Sequence, residues 1–290
     1  MGILLGLLTA LTWGGADFMA RFVTHRIGTL RTMLYMQLSG LFLLTVFLPS
    51  LGGWGHLADG SGWHPWAWGI LAGIVNASGT LALYRSFEIG KMAVVAPVSA
   101  SYPALTLLLS WLTGEKLTLI RIAGIILTLL GVVVVAHGEK VTGTNGTGPA
   151  QKNSKGIGWA IAAGIAFGFL FWLLGIRVVP RVGATQAVWL IRLTSSVLAI
   201  AVLLFARQPM SLPRSNLRWM ALGMGGMDTG AFVLSNRGMQ MEQVAVISVL
   251  GSLYGAVTVV LAAIVLRERI SLSQWAGIVT IFLGIYLISR

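Results

Sequence analysis

The chain has 290 residues, of which 56% are hydrophobic and 10% charged, with a mean hydropathy of +0.86. Soluble domains carry about a quarter charged residues, so this much apolar material cannot be hidden in one globule and calls for lipid as part of its solvent. The net charge of +12 does not call for nucleic acid, because most Lys and Arg lie between apolar runs, where they set membrane orientation, and the lack of cysteine excludes disulfides and thiolate metal sites.

Met1 leads almost directly into an apolar run with no basic region before it, so no cleaved signal peptide is expected. A spanning helix needs about 20 mostly apolar residues. Ten windows qualify, at 2–22, 32–50, 66–86, 92–113, 119–137, 156–176, 186–206, 218–238, 243–266 and 272–289. The expected fold is all-α and integral to the membrane, with ten transmembrane helices. Connections are short except at 138–155, a polar stretch rich in Gly, Thr and Asn that reads as a linker loop between residues 1–137 and 156–290. Asn145-Gly-Thr147 within it is a glycosylation sequon, of little weight as a single loop match.

A linker at mid-chain prompts a search for an internal repeat. Residues 93–106 (AVVAPVSASYPALT) match 245–258 (AVISVLGSLYGAVT), and the same register pairs Arg85 with Arg237 and Tyr102 with Tyr254. A one-residue shift pairs Glu115 with Glu268, and Gly124 and Gly131 with Gly277 and Gly284; Trp13-Gly14 falls opposite Phe167-Gly168. Five spans per half is odd, so the second half enters the membrane upside down. The expectation is two inverted five-helix repeats, a plan common among secondary transporters. Loop charge agrees: 51–65 has no Lys or Arg, whereas its repeat partner near 207–218 has Arg207, Arg214 and Arg218. Thirteen Lys and Arg follow the odd-numbered spans and six lie on the other face, which places the first set in the cytoplasm and both termini outside.

Leu11-Thr-Trp13-Gly14, the stretch from Leu83 to Thr118 with its Tyr102-Pro103 pair and Gly114-Glu115-Lys-Leu-Thr118, and then Gly124 and Gly131 resemble the EamA-type transporters of the drug/metabolite transporter superfamily. Arg267-Glu268-Arg-Ile-Ser271 and Gly277 repeat the pattern in the second half, and Ile191-Arg192-Leu193 is similar to the family's arginine in the second helix of a repeat. The resemblance covers essentially the whole chain. It implies ten helices, efflux of small solutes, and both termini in the cytoplasm, the last against the loop charges. The chain departs from the family's pattern at Asp17, at Gln37 where the second half has Arg192, and at Gly255 after Tyr254.

An ionisable group within the hydrocarbon costs roughly 2.5–3.5 kcal/mol on insertion scales, so it defaults to a functional hypothesis. Asp17, Arg192 and Asp228 lie well inside windows. Asp17 can equally reach the interface, and Arg192 can be an ion-pair partner of Asp228 or Asp17. The repeat pairs Arg192 with Gln37 and Asp228 with Asn76, and these charge-asymmetric pairs are where substrate discrimination is expected. A cavity also needs aromatic and hydroxyl groups. Tyr84, Ser99, Ser101, Tyr102, Asn236, Ser248, Ser252 and Tyr254 fall on matched spans, with Trp13 and Trp172 as further walls; for each hydroxyl the competing role is a bond to its own helix. Trp66, Trp68, Trp189 and Trp219 sit near span ends as interface anchors. Pro97 and Pro103 are expected to kink the fourth span and act as hinges. Glu115 and Glu268, beside basic residues, read as a solvated charge cluster rather than a gate.

Enzyme signatures are missing. The four histidines, His25, His56, His64 and His137, lie in or beside loops without metal-ligand spacing. No serine has a histidine base nearby in sequence, and no Gly-rich loop ends in Lys-Ser or Lys-Thr. No catalysis, cofactor or resident metal is expected. Three classes remain. The first is a secondary transporter exporting small metabolites such as amino acids by alternating access around a central cavity. Its partners are a small-molecule substrate, the lipid bilayer and protons coupled at Asp17 and Asp228, with no nucleic acid. The second is a multidrug exporter taking lipophilic cations into an acidic, aromatic cavity, against which Arg192 places a positive charge. The third is a non-transporting membrane scaffold or receptor. The expected location is a bacterial inner (plasma) membrane.

Overall fold

The computed structural model describes residues 1–114, 116, 118–137, 156–211, 216–268 and 270–290. The 138–155 linker, Glu115, Arg214 and Arg269 lie outside the described residues. In chain order the helices are α1 (Gly2–Ile27), α2 (Thr29–Phe47), α3 (His64–Ile89), α4 (Met92–Ser99), α5 (Tyr102–Leu112), α6 (Leu119–His137), α7 (Ile157–Leu173), α8 (Val179–Val182), α9 (Ala184–Phe205), α10 (Asn216–Met241), α11 (Val244–Ser252), α12 (Tyr254–Leu261) and α13 (Leu272–Ile288), and no strand occurs among the described residues. Every apolar window lies on one of these helices or on a consecutive run of them. Among the described residues, eight stretches are long and apolar enough to cross a membrane: Gly2–Ile27, Thr29–Leu51, His64–Ile89, Met92–Leu112, Leu119–Ala136, Ile157–Val182, Ala184–Phe205 and Val246–Leu266. The two remaining helices differ. α13 has 17 residues, and α10, with 26, is diluted by Arg218, Asp228, Asn236 and Arg237.

Tight turns after α1 and α8 are made by Gly28 (φ 81, ψ 162) and Gly183 (φ 98, ψ 153). Both sit in a region closed to residues with a Cβ, so the same device reverses the chain at matching points of the two halves.

Glycine also sets the packing. A Cβ on Gly131 would stand 2.9 Å from the Gly277 carbonyl, and one on Gly277 would stand 3.0 Å from the Gly131 carbonyl, so α6 and α13 touch backbone to backbone. Gly124 meets Gly284 and Ile288, hence the two helices run antiparallel. α3 lays Gly69 and Gly73 against Leu190 and Thr194 of α9, and α10 lays Gly225 against Met36 and Ser39 of α2. The third helix of each half therefore seats on the second helix of the other. α2 and α9 themselves meet at Gln37–Arg192 and Thr45–Trp189, again antiparallel.

Loop contacts define two faces. Tyr35, near the Gly28 turn, donates to the carbonyls of Met210 (3.1 Å) and Ser211 (2.6 Å), so the segment after α9 lies on the Gly28 face. Gln186, beside Gly183, donates to the Gly53 carbonyl at 2.8 Å, which puts the 51–57 segment on the opposite face. α10 begins on the first face and ends on the second, where Glu242 packs over Gly2.

Candidate functional site

Two spans are broken, at matching positions. α4 ends at Ser99 and α5 starts at Tyr102; α11 ends at Ser252 and α12 starts at Tyr254. Pro103 follows the first tyrosine and Gly255 the second, so proline is not required for the break. Pro97 lies inside α4 and Pro103 in the first turn of α5, on either side of the interruption.

The tyrosines that open α5 and α12 reach across to the opposite half. Tyr102 donates to the Ser248 carbonyl at 2.9 Å. Tyr254 meets the Ser99 hydroxyl at 2.9 Å, and Ser99 donates to its own helix at Ala96, also 2.9 Å. The register explains why one bond is direct and the other relayed. Gly251 stands where the first half has Ser99, and a Cβ there would lie 3.2 Å from the Tyr102 hydroxyl.

Between the breaks is a cavity of about 30 Å³ walled by both halves: Trp13 and Asp17 from α1, Met36 from α2, Thr80, Leu83 and Tyr84 from α3, Tyr102, Phe167 and Phe171, Asp228 and Phe232, and Tyr254. That volume holds about two water molecules. The rings pack on one another. Trp13 meets Phe171, Phe232 and Tyr254 edge-on at 5.6, 5.1 and 6.3 Å, and Tyr102 stacks on Phe171 at 4.7 Å.

Charge is distributed unevenly around it. Arg192 is 0% exposed. It pairs with the Asp228 carboxylate, donates to Gln37 Oε1 at 2.8 Å and to Met36 Sδ at 3.2 Å, and lies 5.2 Å from the Phe232 ring centroid. Gly40 makes room for this head group, since a Cβ there would stand 3.0 Å from Arg192 Nε and 2.1 Å from Thr229 Oγ1. A buried ion pair is costly to break, by about 3–5 kcal/mol, because the survivor is left uncompensated. Asp17 is different. It is 6% exposed, lines the cavity, and its carboxylate has no hydrogen bond or ion pair among the described residues.

The residues singled out from sequence fall into groups. Asp17, Asp228, Trp13, Tyr84, Tyr102 and Tyr254 come together at the cavity, with Arg192 and Gln37 directly behind Asp228. Asn76 donates to Ser195 Oγ at 3.3 Å and holds α3 to α9. Asn236 donates to the Ala184 carbonyl at 3.0 Å, at the start of α9. Ser101 and Ser252 bond to their own helices at Val98 and Val249, both at 2.7 Å, while Ser99 and Ser248 serve the two tyrosines. Trp172 is not in the wall: its indole donates to Thr113 at 3.3 Å, and the neighbouring Phe171 faces the cavity instead. Glu268 is not solvated. Its carboxylate accepts from the backbone N–H groups of Met92 (3.2 Å) and Ala93 (2.9 Å), capping α4, and it lies 3.7 Å from Arg21, which also donates to the carbonyls of Phe87 and Gly90. Carboxylates are favoured at a helix N-terminus by its unsatisfied N–H groups and dipole. Its repeat partner Glu115 is outside the described residues.

Met36, Thr80, Leu83, Phe167, Phe171 and Phe232 were not anticipated as site residues. The repeat held a signal for some of them, because matching Trp13 to Phe167 also matches Asp17 to Phe171, and matching Asn76 to Asp228 also matches Thr80 to Phe232.

Comparison with known proteins agrees with this architecture. A solved crystal structure superposes with a TM-score of 0.69 at 20% identity, over 99% of this chain and 95% of that one. A Synechocystis protein named "Uncharacterized transporter sll1319" is 26% identical over 216 residues, which is 71% of this chain and 61% of that relative's length. "Uncharacterized protein MJ1333.1" of Methanocaldococcus jannaschii is 29% identical over 135 residues, 46% of this chain but 95% of the relative. The EamA-like transporter family matches residues 1–136 and 154–290, and this multi-pass membrane chain therefore belongs to that family, within the drug/metabolite transporter superfamily.

Proposed function

We propose that the chain is a secondary transporter exporting small amphipathic metabolites that bear an amino group, amino acids among them, by alternating access. The single observation that carries this reading is the cavity at the paired helix breaks, with walls from both halves and an unpaired carboxylate in it. At about 30 Å³ it is too small for such a solute, so the halves must part to load it. α10 and α13 also cross the membrane, which makes ten spans in two inverted five-helix repeats. The antiparallel meeting of α2 with α9 and of α6 with α13 supports this, as does a relative aligned over 95% of its length with less than half of this chain. The Gly28 face is cytoplasmic, in a bacterial inner membrane. On that face the Arg21–Glu268 cluster ties the ends of α1 and α3 and the segment before α13 to the start of α4, and releasing it is one step of opening.

Protons are the coupling ion. Asp228 is held by Arg192, which leaves Asp17 as the carboxylate free to trade a proton for substrate. A specific observation also favours the lipophilic-cation reading: Arg192 is neutralised by Asp228, so the positive charge that argued against cations does not reach the cavity. Flux in proteoliposomes, measured for a panel of amino acids and organic cations with and without a pH gradient, tests both readings. Gradient-driven flux that Asp17→Asn abolishes is expected. Flux unaltered in that variant would remove Asp17 as the coupling group.

A further inference from the structure

We propose that the cleft between α2, α3, α7 and α9 on the Gly28 face holds one phospholipid whose zwitterionic head group ends in a primary ammonium, the phosphatidylethanolamine type. The cleft shares no lining residue with the central cavity, and the proposal does not rest on the transport reading.

The cleft has a volume of about 380 Å³ and takes its walls from both halves. Its polar residues gather where four helices end. Thr29 opens α2, Arg85 and Glu88 lie in the last two turns of α3, Trp159 stands in the first turn of α7, and Gln208 follows α9. Its apolar residues lie deeper. Leu81 is two turns below the end of α3 at Ile89, about 12 Å along the axis, and Val202 is one turn below the end of α9. The cleft is therefore polar at the membrane surface and apolar beneath it, the order in which a lipid carries its own parts. Trp159, 46% exposed, sits at the level where indoles meet head groups.

Thr29 donates to Glu88 Oε2 at 2.5 Å, and Arg85 donates to the same oxygen at 2.9 Å through one terminal nitrogen. These bonds fix the carboxylate and set the guanidinium beside it, yet they spend only part of each group. Glu88 Oε1, Arg85 Nε and the other terminal nitrogen, the Trp159 indole N–H and the Gln208 side-chain amide have no partner among the described residues. A phosphodiester can accept from the free edge of the guanidinium and from the indole, and an ammonium can donate to Glu88 Oε1 and to the Gln208 carbonyl. The charges of the pair cancel, as do those of the zwitterion. An anionic head group would bring a net negative charge against Glu88, and a trimethylammonium brings charge with no N–H to donate. Basic clefts between membrane helices are a recurring seat for lipid heads; the carboxylate in this one is what selects the amine.

The test is native mass spectrometry of the purified full chain, titrated with the dioleoyl forms of phosphatidylethanolamine, phosphatidylcholine and phosphatidylglycerol to give Kd for the first lipid bound. Phosphatidylethanolamine is expected to bind about 10-fold more tightly than either of the others. Arg85→Gln and Glu88→Gln should each remove that preference. Both substitutions also cut the link between α2 and α3, so Trp159→Leu is measured beside them. It leaves the bonds among Thr29, Arg85 and Glu88 in place, should melt with the parent when no lipid is added, and should weaken phosphatidylethanolamine several-fold. Free phosphoethanolamine, the head group without its chains, should not displace the lipid at equal concentration. Equal affinity for the three lipids, a preference that survives Arg85→Gln and Glu88→Gln, unaltered binding in Trp159→Leu, or displacement by phosphoethanolamine overturns the proposal.

Discussion

Residues 156–290 bring Asp228 to the cavity together with its own counter-ion, Arg192, whereas residues 1–137 bring Asp17 with no cation paired to it among the described residues. The repeat makes the contrast informative. In the register read from the sequence, Arg192 and Asp228 stand opposite the neutral pair Gln37 and Asn76; the two charges cancel each other and cross-link α2, α9 and α10. In the register that pairs Trp13 with Phe167, Asp17 stands opposite Phe171. Breaking a self-neutralised pair strands a buried charge, whereas an unpaired acid within a span is a functional hypothesis by default.

The sharpest way to break this contrast is to remove one charge at a time. Arg192→Gln and Asp228→Asn are each expected to lose about 3–5 kcal/mol of stability, and the double variant to recover most of it. Asp17→Asn is expected to melt at the same temperature as the parent or slightly higher. Denaturant titration in mixed micelles reads all four proteins, and a loss in Asp17→Asn as large as in Asp228→Asn would make Asp17 a structural partner after all. A smaller effect is expected at Gly40, the residue that admits the Arg192 head group. Gly40→Ala should cost about 1–3 kcal/mol through overpacking. In an Arg192→Gln/Asp228→Asn background the same substitution should cost measurably less, and an unchanged cost would place the crowding at Thr229 alone. The smallest effect separates the two tyrosines. Tyr102→Phe and Tyr254→Phe each remove one hydrogen bond, worth about 1 kcal/mol. Ser99→Ala should be non-additive with Tyr254→Phe and additive with Tyr102→Phe, because only Tyr254 works through the serine.

Trp172 and Phe171 show where reading the sequence stopped. Both are large and apolar, and one residue along a helix turns the side chain by about 100°. In a soluble helix, polar residues would mark the outward face. Here lipid and protein interior are both apolar, and α7 carries no pattern to tell which face is which. Glu268 failed for a different reason. Its neighbours Arg267 and Arg269 suggested a solvated cluster, but its partners, the N–H groups of Met92 and Ala93, are about 175 residues away and belong to a break that hydropathy does not reveal. α1 also ran on to Ile27, past the window that ended at 22, because Arg21, His25 and Arg26 end the apolar run without ending the helix.

The sequence by itself determined that this is a helical membrane chain and where its apolar segments lie, since bilayer thickness sets segment length. It also named both acids and the arginine, because a charge in hydrocarbon is conspicuous against so few others. Only the tertiary structure decided that Arg192 belongs to Asp228 and that Asp17 is left over. That choice depends on how α1, α2, α9 and α10 meet, and their approach is set by Gly40, Gly225 and the aromatic rings between them rather than by any feature local to the three charged residues.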